Sequence, residues 1–427
     1  MESTKKFYGS KAAFGAFLVI FVNLGLCTCL GVFLASIADY IGWPIGTVAI
    51  LGTINTIANA ALSIVAIKVV QKIGPRWTML ISILACAAHV TLYTLTSPGQ
   101  NLRSLILCYV AGFLASVAIA FGTHAVCSSL VAEWYVSTHK REKMTSVVTS
   151  GAAFGAAIWV FVSGQLAARF TFQTCYHILA VAALVIGLIA VIFLVRTPKE
   201  AGQEPDGLEE LKKEQAGAKD VELPGMSYKD ALKSPSFWLL SIGCVLAIMG
   251  ASGFVSYNAA YWQGMGMSVT TSATWNAVWL LASAVVMLIA GNLFKKIGST
   301  GFTIYVAVSF ALAFIFMMVW GAQPSTVMMV LIVIFGALGY PLCAAFPSLA
   351  AHGVFGPKEI AKIITTFMVA VYIGQLLGPV TFSAIVAHGW NLLWTIWTVC
   401  TLIGAVVILI AIHLSPYVKG EKAKKKQ

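Results

Sequence analysis

The stretch KVVQKIGPRW (residues 68–77) lies between two long apolar runs and concentrates positive charge in a chain that carries little. Hydrophobic residues make up 59% of the 427 positions, charged residues only 10%, and the mean hydropathy is +0.89. A second stretch, NLFKKIGST (residues 292–300), repeats the Lys-Ile-Gly of the first at a shift of 224. The two stretches indicate a duplicated chain, in which the same basic loop joins two apolar segments in each half.

The apolar runs have the length of transmembrane helices, since about 20 apolar residues span the hydrocarbon core of a bilayer. Charged residues, Gly and Pro interrupt the apolar sequence at regular intervals. The twelve runs cover residues 12–38, 46–67, 77–96, 104–132, 145–168, 174–195, 236–262, 270–293, 301–320, 325–351, 363–387 and 391–414. The sequence therefore predicts an all-α polytopic membrane protein with twelve transmembrane helices in two pseudo-symmetric six-helix bundles.

Repeated positions and one long hydrophilic segment predict the domain limits. A shift of 224 places Gly42 on Gly266, and a shift of 219 places Lys143 on Lys362. The hydrophilic segment has too few apolar residues to build a core, so we interpret it as a linker. The predicted domains are an N-terminal bundle (1–196), a cytoplasmic linker (197–234), a C-terminal bundle (235–415) and a basic cytoplasmic tail (416–427).

The distribution of Lys and Arg predicts the orientation. If the amino terminus is cytoplasmic, only Arg103 and Arg169 of the 27 basic side chains fall on the far side. The positive-inside rule then predicts a multi-pass protein of the cell inner membrane with both termini in the cytoplasm. Anionic lipid accounts for the net charge of +12, so the lipid bilayer is an expected partner and nucleic acid is not.

Residues for catalysis or metal binding do not cluster in the sequence. All nine Cys lie in apolar runs without a CxxC pair, and no Gly-x-x-x-x-Gly-Lys loop occurs. No nucleophile, base and metal-ligand set lies at one depth in the spans. We therefore expect no enzyme activity, no catalytic residues, no cofactor and no metal.

The two short basic loops at equivalent places in parallel halves resemble the major facilitator superfamily. In that family the loop reads Gly-x-x-x-Asp-Arg-x-Gly-Arg-Arg and latches helix ends together in one alternating-access state. Here Gln71 and Lys295 occupy the Asp positions and Ile67 the first Gly position of the amino half. The resemblance implies a gating role for a set of residues in these loops: Lys72, Gly74, Arg76, Gly291, Lys296 and Gly298. Because the motif is incomplete, we expect the contact between the helix ends to be weaker or to be made by other residues than in the family.

Other stretches resemble the oxalate:formate antiporter and monocarboxylate transporter branch. They are SYKDALKSPSFWLL (227–240), EWYVSTHKREKMTSVVTSGAAFG (133–155) and the counterpart of the latter at 352–379. The branch implies a small carboxylate as substrate, bound with an Arg on helix eight. Met287 stands at that position, and the run 363–387 contains no Lys or Arg.

Two interpretations of the substrate therefore stay open. A small carboxylate would be bound by hydroxyls, amides, indole N–H groups and exposed backbone. A neutral, zwitterionic or quaternary-amine solute would be bound by aromatic faces. A multidrug exporter of the same fold, which binds apolar ligands on such faces, is a further alternative. Of the 15 acidic residues only Asp39 and Glu133 touch span ends, which favours exchange or facilitated diffusion over proton symport.

The resemblance places a central cavity among helices 1, 2, 4, 5, 7, 8, 10 and 11. Helix eight carries Asn276 and Trp279 on one face, and helix two carries Asn55 and Asn59 on the matching face. Contacts between helices are the alternative role for such amides. The candidate substrate-binding residues are Asn23, Thr28, Asn55, Asn59, His124, Tyr257, Asn276, Trp279, Tyr340, Tyr372 and Gln375. His124 is also the candidate for proton coupling.

Together these patterns predict a secondary transporter that moves a small organic solute, foremost a small organic anion, by alternating access. Exchange or facilitated diffusion is the expected mode, and a monomer is the expected functional unit.

Overall fold

The structure, a computed structural model, describes residues 7–135, 138–206, 225–356 and 358–424, and helices make up nearly all of them. In chain order the α-helices are α1 (Gly9–Thr28), α2 (Leu30–Ile41), α3 (Ile45–Thr94), α4 (Leu102–Gly122), α5 (His124–Trp134), α6 (Thr138–Ala167), α7 (Phe172–Ile189), α8 (Pro198–Ala201), α9 (Tyr228–Lys233), α10 (Pro235–Gly264), α11 (Val269–Ala322), α12 (Thr326–Gly339), α13 (Phe346–Phe355), α14 (Ile360–Ile385), α15 (Trp390–Leu414) and α16 (Pro416–Lys424). A π-helical turn, Ala190–Leu194, follows α7, and 3-10 segments Tyr340–Cys343 and Val386–His388 follow α12 and α14.

Two of the helices, α3 and α11, each contain two membrane crossings. Ten helical segments of the described residues are long and apolar enough to cross a membrane, and these two are 50 and 54 residues long. Each leaves helical geometry at one glycine, Gly74 in α3 and Gly298 in α11. Counting both crossings of each gives the twelve predicted transmembrane helices and confirms the predicted fold class.

The fourth and tenth spans are broken, whereas the sequence predicts continuous runs over 104–132 and 325–351. In the fourth span Thr123 has φ −126° and ψ −140°, which separates α4 from α5. In the tenth span the 3-10 segment and residues Ala344 and Ala345 separate α12 from α13. Pro341 and Pro347 lie at this second break, where their missing N–H groups interrupt the α-helical bonding.

The described residues fall into two compact units. Unit 1 comprises Met1–Asp220 and Ser268–Ala277, and unit 2 comprises Val221–Met267 and Val278–Gln427. Within unit 1, α1 and α6 pack so closely that a Cβ at Gly155 would overlap the Phe21 carbonyl. Small residues allow such backbone approach between membrane helices.

Aromatic side chains fill the interior of unit 2. The Phe254 ring lies 5.8 Å from Phe310 and 6.1 Å from Trp394, centroid to centroid. Trp394 in turn stacks against Phe314 at 5.9 Å. These rings join α10, α11 and α15 into one core.

The predicted linker is described only at its two ends. Residues 207–224 lie outside the described residues. The first end contains α8, whose start is closed by a capping box between Thr197 and Glu200. The second end contains α9, and the first residues of the predicted tail form α16.

Candidate functional site

The basic loop of unit 1 is tied to the end of the sixth span through Arg76. The Arg76 guanidinium donates to the carbonyls of Val191 at 3.2 Å and Ile192 at 2.8 Å, in the π-helical turn that follows α7. Unpaired carbonyls at a helix end are satisfied by such cationic donors. The shift that aligns the two loops places Arg76 on Thr300, so the loop of unit 2 has no arginine there.

The other residues predicted for gating lie at the surface of their unit. Lys72, Lys296 and Gly298 are exposed, and Gly291 is half-buried within α11. The structural feature that the two basic loops share is the non-helical backbone conformation of Gly74 and Gly298.

Two predicted site residues of unit 1 join helices. The Asn23 amide donates to the Ser82 hydroxyl at 3.0 Å and is fully buried beside Gly122, where a Cβ would overlap it. The Asn55 amide donates to the Gly112 carbonyl at 3.3 Å, from α3 to α4. These contacts are interhelical hydrogen bonds, which is the alternative to substrate binding that the sequence analysis considered for such amides.

Thr28 and Asn59 are two further half-buried candidates of unit 1. The Thr28 hydroxyl donates to the Leu24 carbonyl of its own helix at 2.7 Å. The Asn59 side-chain oxygen is buried without a hydrogen-bond partner in the part of the chain that the structure describes. Asn59 is thus suited to accept from a donor group of a ligand, and the buried side-chain oxygen of Asn23 likewise has no partner among the described residues.

His124 is the first residue of α5 and lies directly after the break at Thr123. Its side chain is outside the described residues, so its predicted role in binding or proton coupling stays a prediction. The start of α5 has no side-chain cap. Within the described residues, the first N–H groups of α5 therefore lack the acceptor that an N-cap side chain supplies.

Trp279 and Tyr257 are packed into the interior of unit 2. Trp279 is fully buried and contacts Phe254 and Tyr340, with ring centroids 5.3 Å and 5.8 Å away. The ring of Tyr257 stacks on that of Phe382 at 3.8 Å. These two buried rings therefore do not offer the open aromatic faces that a cationic ligand would need.

Asn276 is also buried, with 2% of its surface exposed, and it belongs to the stretch Ser268–Ala277 of unit 1. In the same stretch the Thr270 hydroxyl donates to the Gly164 carbonyl at 3.0 Å. This stretch is thereby tied to α6.

Tyr340, Tyr372 and Gln375 are partly exposed in unit 2. Tyr340 begins the 3-10 segment at the break of the tenth span, and Ala344 at the same break is exposed. The Gln375 carbonyl accepts a hydrogen bond from the Ser252 hydroxyl at 3.2 Å, because Pro379 has no N–H to offer it.

The breaks in the fourth and tenth spans are the features that the sequence did not predict. A shift of 221 places Thr123 on Ala344, and this value lies between the two repeat shifts. The following half-helices, α5 and α13, both begin without a side-chain cap. Pro341 and Pro347 were a signal for the break in the tenth span, whereas no Pro marks the break in the fourth.

Acidic side chains are scarce in the spans. Among the described residues of the spans, Asp39 and Glu133 are the acids, and both are exposed near span ends. Met287 is partly exposed at the position of the expected arginine. Within the same part of the chain no group of three His, Cys, Asp or Glu suits a metal ion.

The twelve spans, the two six-helix halves and the repeated basic loop define a membrane transporter fold. A model of the Major Facilitator Superfamily matches residues 16–354, so the chain belongs to this family of transporters. No curated protein matches the sequence.

Solved structures share this fold at low identity. A bacterial homologue of the human lysosomal transporter Spinster is 16% identical with a TM-score of 0.69, and the match covers 98% of each chain. The D-xylose-proton symporter is 13% identical with a TM-score of 0.68, covering 97% of this chain and 99% of that one. The nucleoside transporter NupG is 13% identical with a TM-score of 0.71, covering 95% and 99%. The last two of these transporters are named for different solutes, and at this identity the likeness concerns the fold.

Proposed function

We propose that the chain is a secondary transporter that moves a small organic anion, a carboxylate, by alternating access. The observation that carries this proposal is the pair of breaks at Thr123 and Ala344, one in each half of the repeat. Interrupted helices at corresponding positions of two repeats are where secondary transporters bind their substrates.

The half-helices after the breaks favour an anion. The N-terminus of a helix carries a partial positive charge, and its first backbone N–H groups point out of the helix toward a bound anion. Among the described residues, neither Thr123 before α5 nor Ala345 before α13 accepts from these groups through its side chain. A carboxylate supplies acceptors to these N–H groups, and it does so without the arginine that the resemblance leads one to expect at Met287.

The alternative, a quaternary amine or another solute held by aromatic faces, has less support. Such a ligand needs open aromatic faces within about 6 Å of its cationic centre. The rings of Tyr257 and Trp279 are instead packed against other rings of unit 2.

Exchange is the mode that we propose. A proton symporter commonly carries a buried carboxylate, and Asp39 and Glu133 lie exposed at span ends. The resemblance of residues 227–240 to the oxalate:formate antiporter branch favours the same mode. We further propose an inner-membrane location with both termini cytoplasmic, a functional monomer and the domain limits 1–196, 197–234, 235–415 and 416–427.

Thermal unfolding of the purified protein with added solutes tests the substrate class, since a ligand of the folded state raises its apparent stability. The panel is formate, lactate and oxalate, with acetamide and betaine as neutral and zwitterionic probes. We expect stabilisation by the carboxylates alone. Stabilisation by betaine or acetamide without any by the carboxylates would overturn the anion assignment.

A further inference from the structure

The first end of the linker is bonded to the last residue of α5. The backbone N–H of Asp206 donates to the Trp134 carbonyl at 2.9 Å, and Asp206 forms a parallel bridge with Tyr135. The Asp206 carboxylate also pairs with Lys140 at 3.2 Å. All of these residues belong to unit 1.

The second end of the linker is bonded to the last residue of α13. The backbone N–H of Met226 donates to the Phe355 carbonyl at 2.8 Å. Two residues later the Tyr228 N–H donates to the Glu359 carboxylate at 2.8 Å, and the Tyr228 hydroxyl lies 3.0 Å from that of Thr366. These contacts lie within unit 2.

The two acceptors are equivalent positions of the repeat. The shift of 221 that places Thr123 on Ala344 also places Trp134 on Phe355. Both acceptors are buried, with 1% and 0% of their surface exposed. Donors from opposite ends of one linker therefore reach the same backbone atom of the two half-helices.

The half-helices need such support. With 11 and 10 residues, α5 and α13 are shorter than the length at which isolated helices become stable. The break removes their continuity at one end, and the last carbonyls at the other end have no partner within the helix. A donor from the linker supplies one of these partners.

The chain termini contact the same two places. In unit 1 the ring of Phe7 meets that of Trp134 at 5.4 Å, edge to face. In unit 2 the Ser415 hydroxyl donates to the Val354 carbonyl at 2.6 Å, and a Cβ at Gly356 would lie 2.8 Å from the Tyr417 ring. The ends of both half-helices are thus covered by segments from outside the spans.

We propose that the two ends of the linker are matched caps, which hold the last turns of α5 and α13 and so make each linker end part of the unit that contains its half-helix. The described ends of the linker are then parts of the two bundles and more than a connection between them. This inference concerns the half-helices to which the proposed function assigns the substrate, but its test needs no substrate, so the two can fail separately.

Hydrogen exchange of the full-length protein in detergent tests the caps. Asp206→Pro removes the N–H donor, and Glu204→Pro is its matched control, because each places a second proline beside Pro205. We expect about fivefold faster exchange of the α5 amides in Asp206→Pro than in Glu204→Pro, and unchanged exchange in α13. Met226→Pro should do the reverse, with faster exchange in α13 and unchanged exchange in α5.

Asp206→Ala separates the backbone cap from the ion pair with Lys140, since it keeps the N–H and loses the carboxylate. It should leave most of the protection of α5 in place. Equal exchange of α5 in Asp206→Pro and Glu204→Pro would overturn the proposal, as would faster exchange of α5 and α13 alike in either single variant. The same loss in Asp206→Ala as in Asp206→Pro would assign the effect to the ion pair and contradict the cap. If Asp206→Pro does not fold, Met226→Pro is the deciding variant. Faster exchange confined to α13 would support the caps, and any other pattern would overturn them.

Discussion

Gly74 and Gly298, which occupy the same place in the two halves of the repeat, adopt the same backbone conformation, with φ 82° and ψ 165° in the first and φ 70° and ψ 177° in the second. Each lies where a long helix turns from one membrane crossing to the next. Only glycine adopts this region of φ and ψ without strain. The repeated Lys-Ile-Gly is therefore a repeated turn, and its glycine sets the geometry.

Gly74→Ala and Gly298→Ala should each destabilise the protein by about 1–3 kcal/mol through backbone strain. The control is Gly291→Ala, which lies within α11. All three positions have no atom within 4 Å of an added Cβ, so the backbone conformation is the difference between them. Thermal unfolding in detergent measures the effect, and equal stability of the three variants would contradict the account.

Arg76→Ala should loosen the contact between the start of the third span and the end of the sixth. It removes both hydrogen bonds to the carbonyls of Val191 and Ile192, and we expect a loss of about 1–3 kcal/mol. Lys72→Ala, at an exposed position of the same loop, should change stability little. Unfolding midpoints of the two variants that coincide would show that the guanidinium contributes nothing.

Trp279→Ala should lower the stability of the fold, and we expect no separate effect on substrate binding. The indole is fully buried among Phe254, Tyr340 and their neighbours, and truncating a buried Trp costs about 3–5 kcal/mol. Trp279→Phe keeps most of the packing and should be milder. A Trp279→Ala protein with wild-type stability and weakened carboxylate binding would instead support the substrate-contact role that the sequence suggested.

The contact of Glu359 with the linker should depend on pH in the acidic range only. The hydrogen bond from the Lys362 ammonium, and next that from the Tyr228 N–H, hold the pKa of the Glu359 carboxyl below its ordinary value. A lowered pKa means that the stabilisation is present at neutral pH and is lost as the pH falls through that pKa. The difference in unfolding temperature between wild type and Glu359→Gln should therefore be constant near neutral pH and shrink below about pH 4. A difference that grows on acidification would contradict this sign.

The number of spans could be predicted from the sequence because each span needs about 20 apolar residues and each turn is marked by charge, Gly or Pro. The kinks at Gly74 and Gly298 follow from the same loops that revealed the repeat. The break at Ala344 had a signal in Pro341 and Pro347, but the break at Thr123 had none. It lies where Gly122 packs against Asn23 and Ser82, a contact that exists only in the folded bundle.

The direction in which site residues face could not be predicted in the same way. In a soluble helix the polar face identifies the exposed side, whereas in a membrane both the lipid-facing and the packed faces are apolar. Spacing alone placed Asn276 and Trp279 on one face, but it could not say that this face is buried. The linker contacts at Trp134 and Phe355 could not be predicted either, because backbone hydrogen bonds do not depend on which side chains the residues carry.

Exchange in proteoliposomes tests directly whether the protein is an organic anion exchanger. Vesicles loaded with unlabelled oxalate, formate or lactate receive the labelled acid outside, with and without an imposed proton gradient. We expect internal carboxylate to accelerate uptake of the label and the proton gradient to leave that uptake unchanged. Uptake that requires the proton gradient, or that internal betaine accelerates while carboxylates do not, would contradict the assignment as an organic anion exchanger.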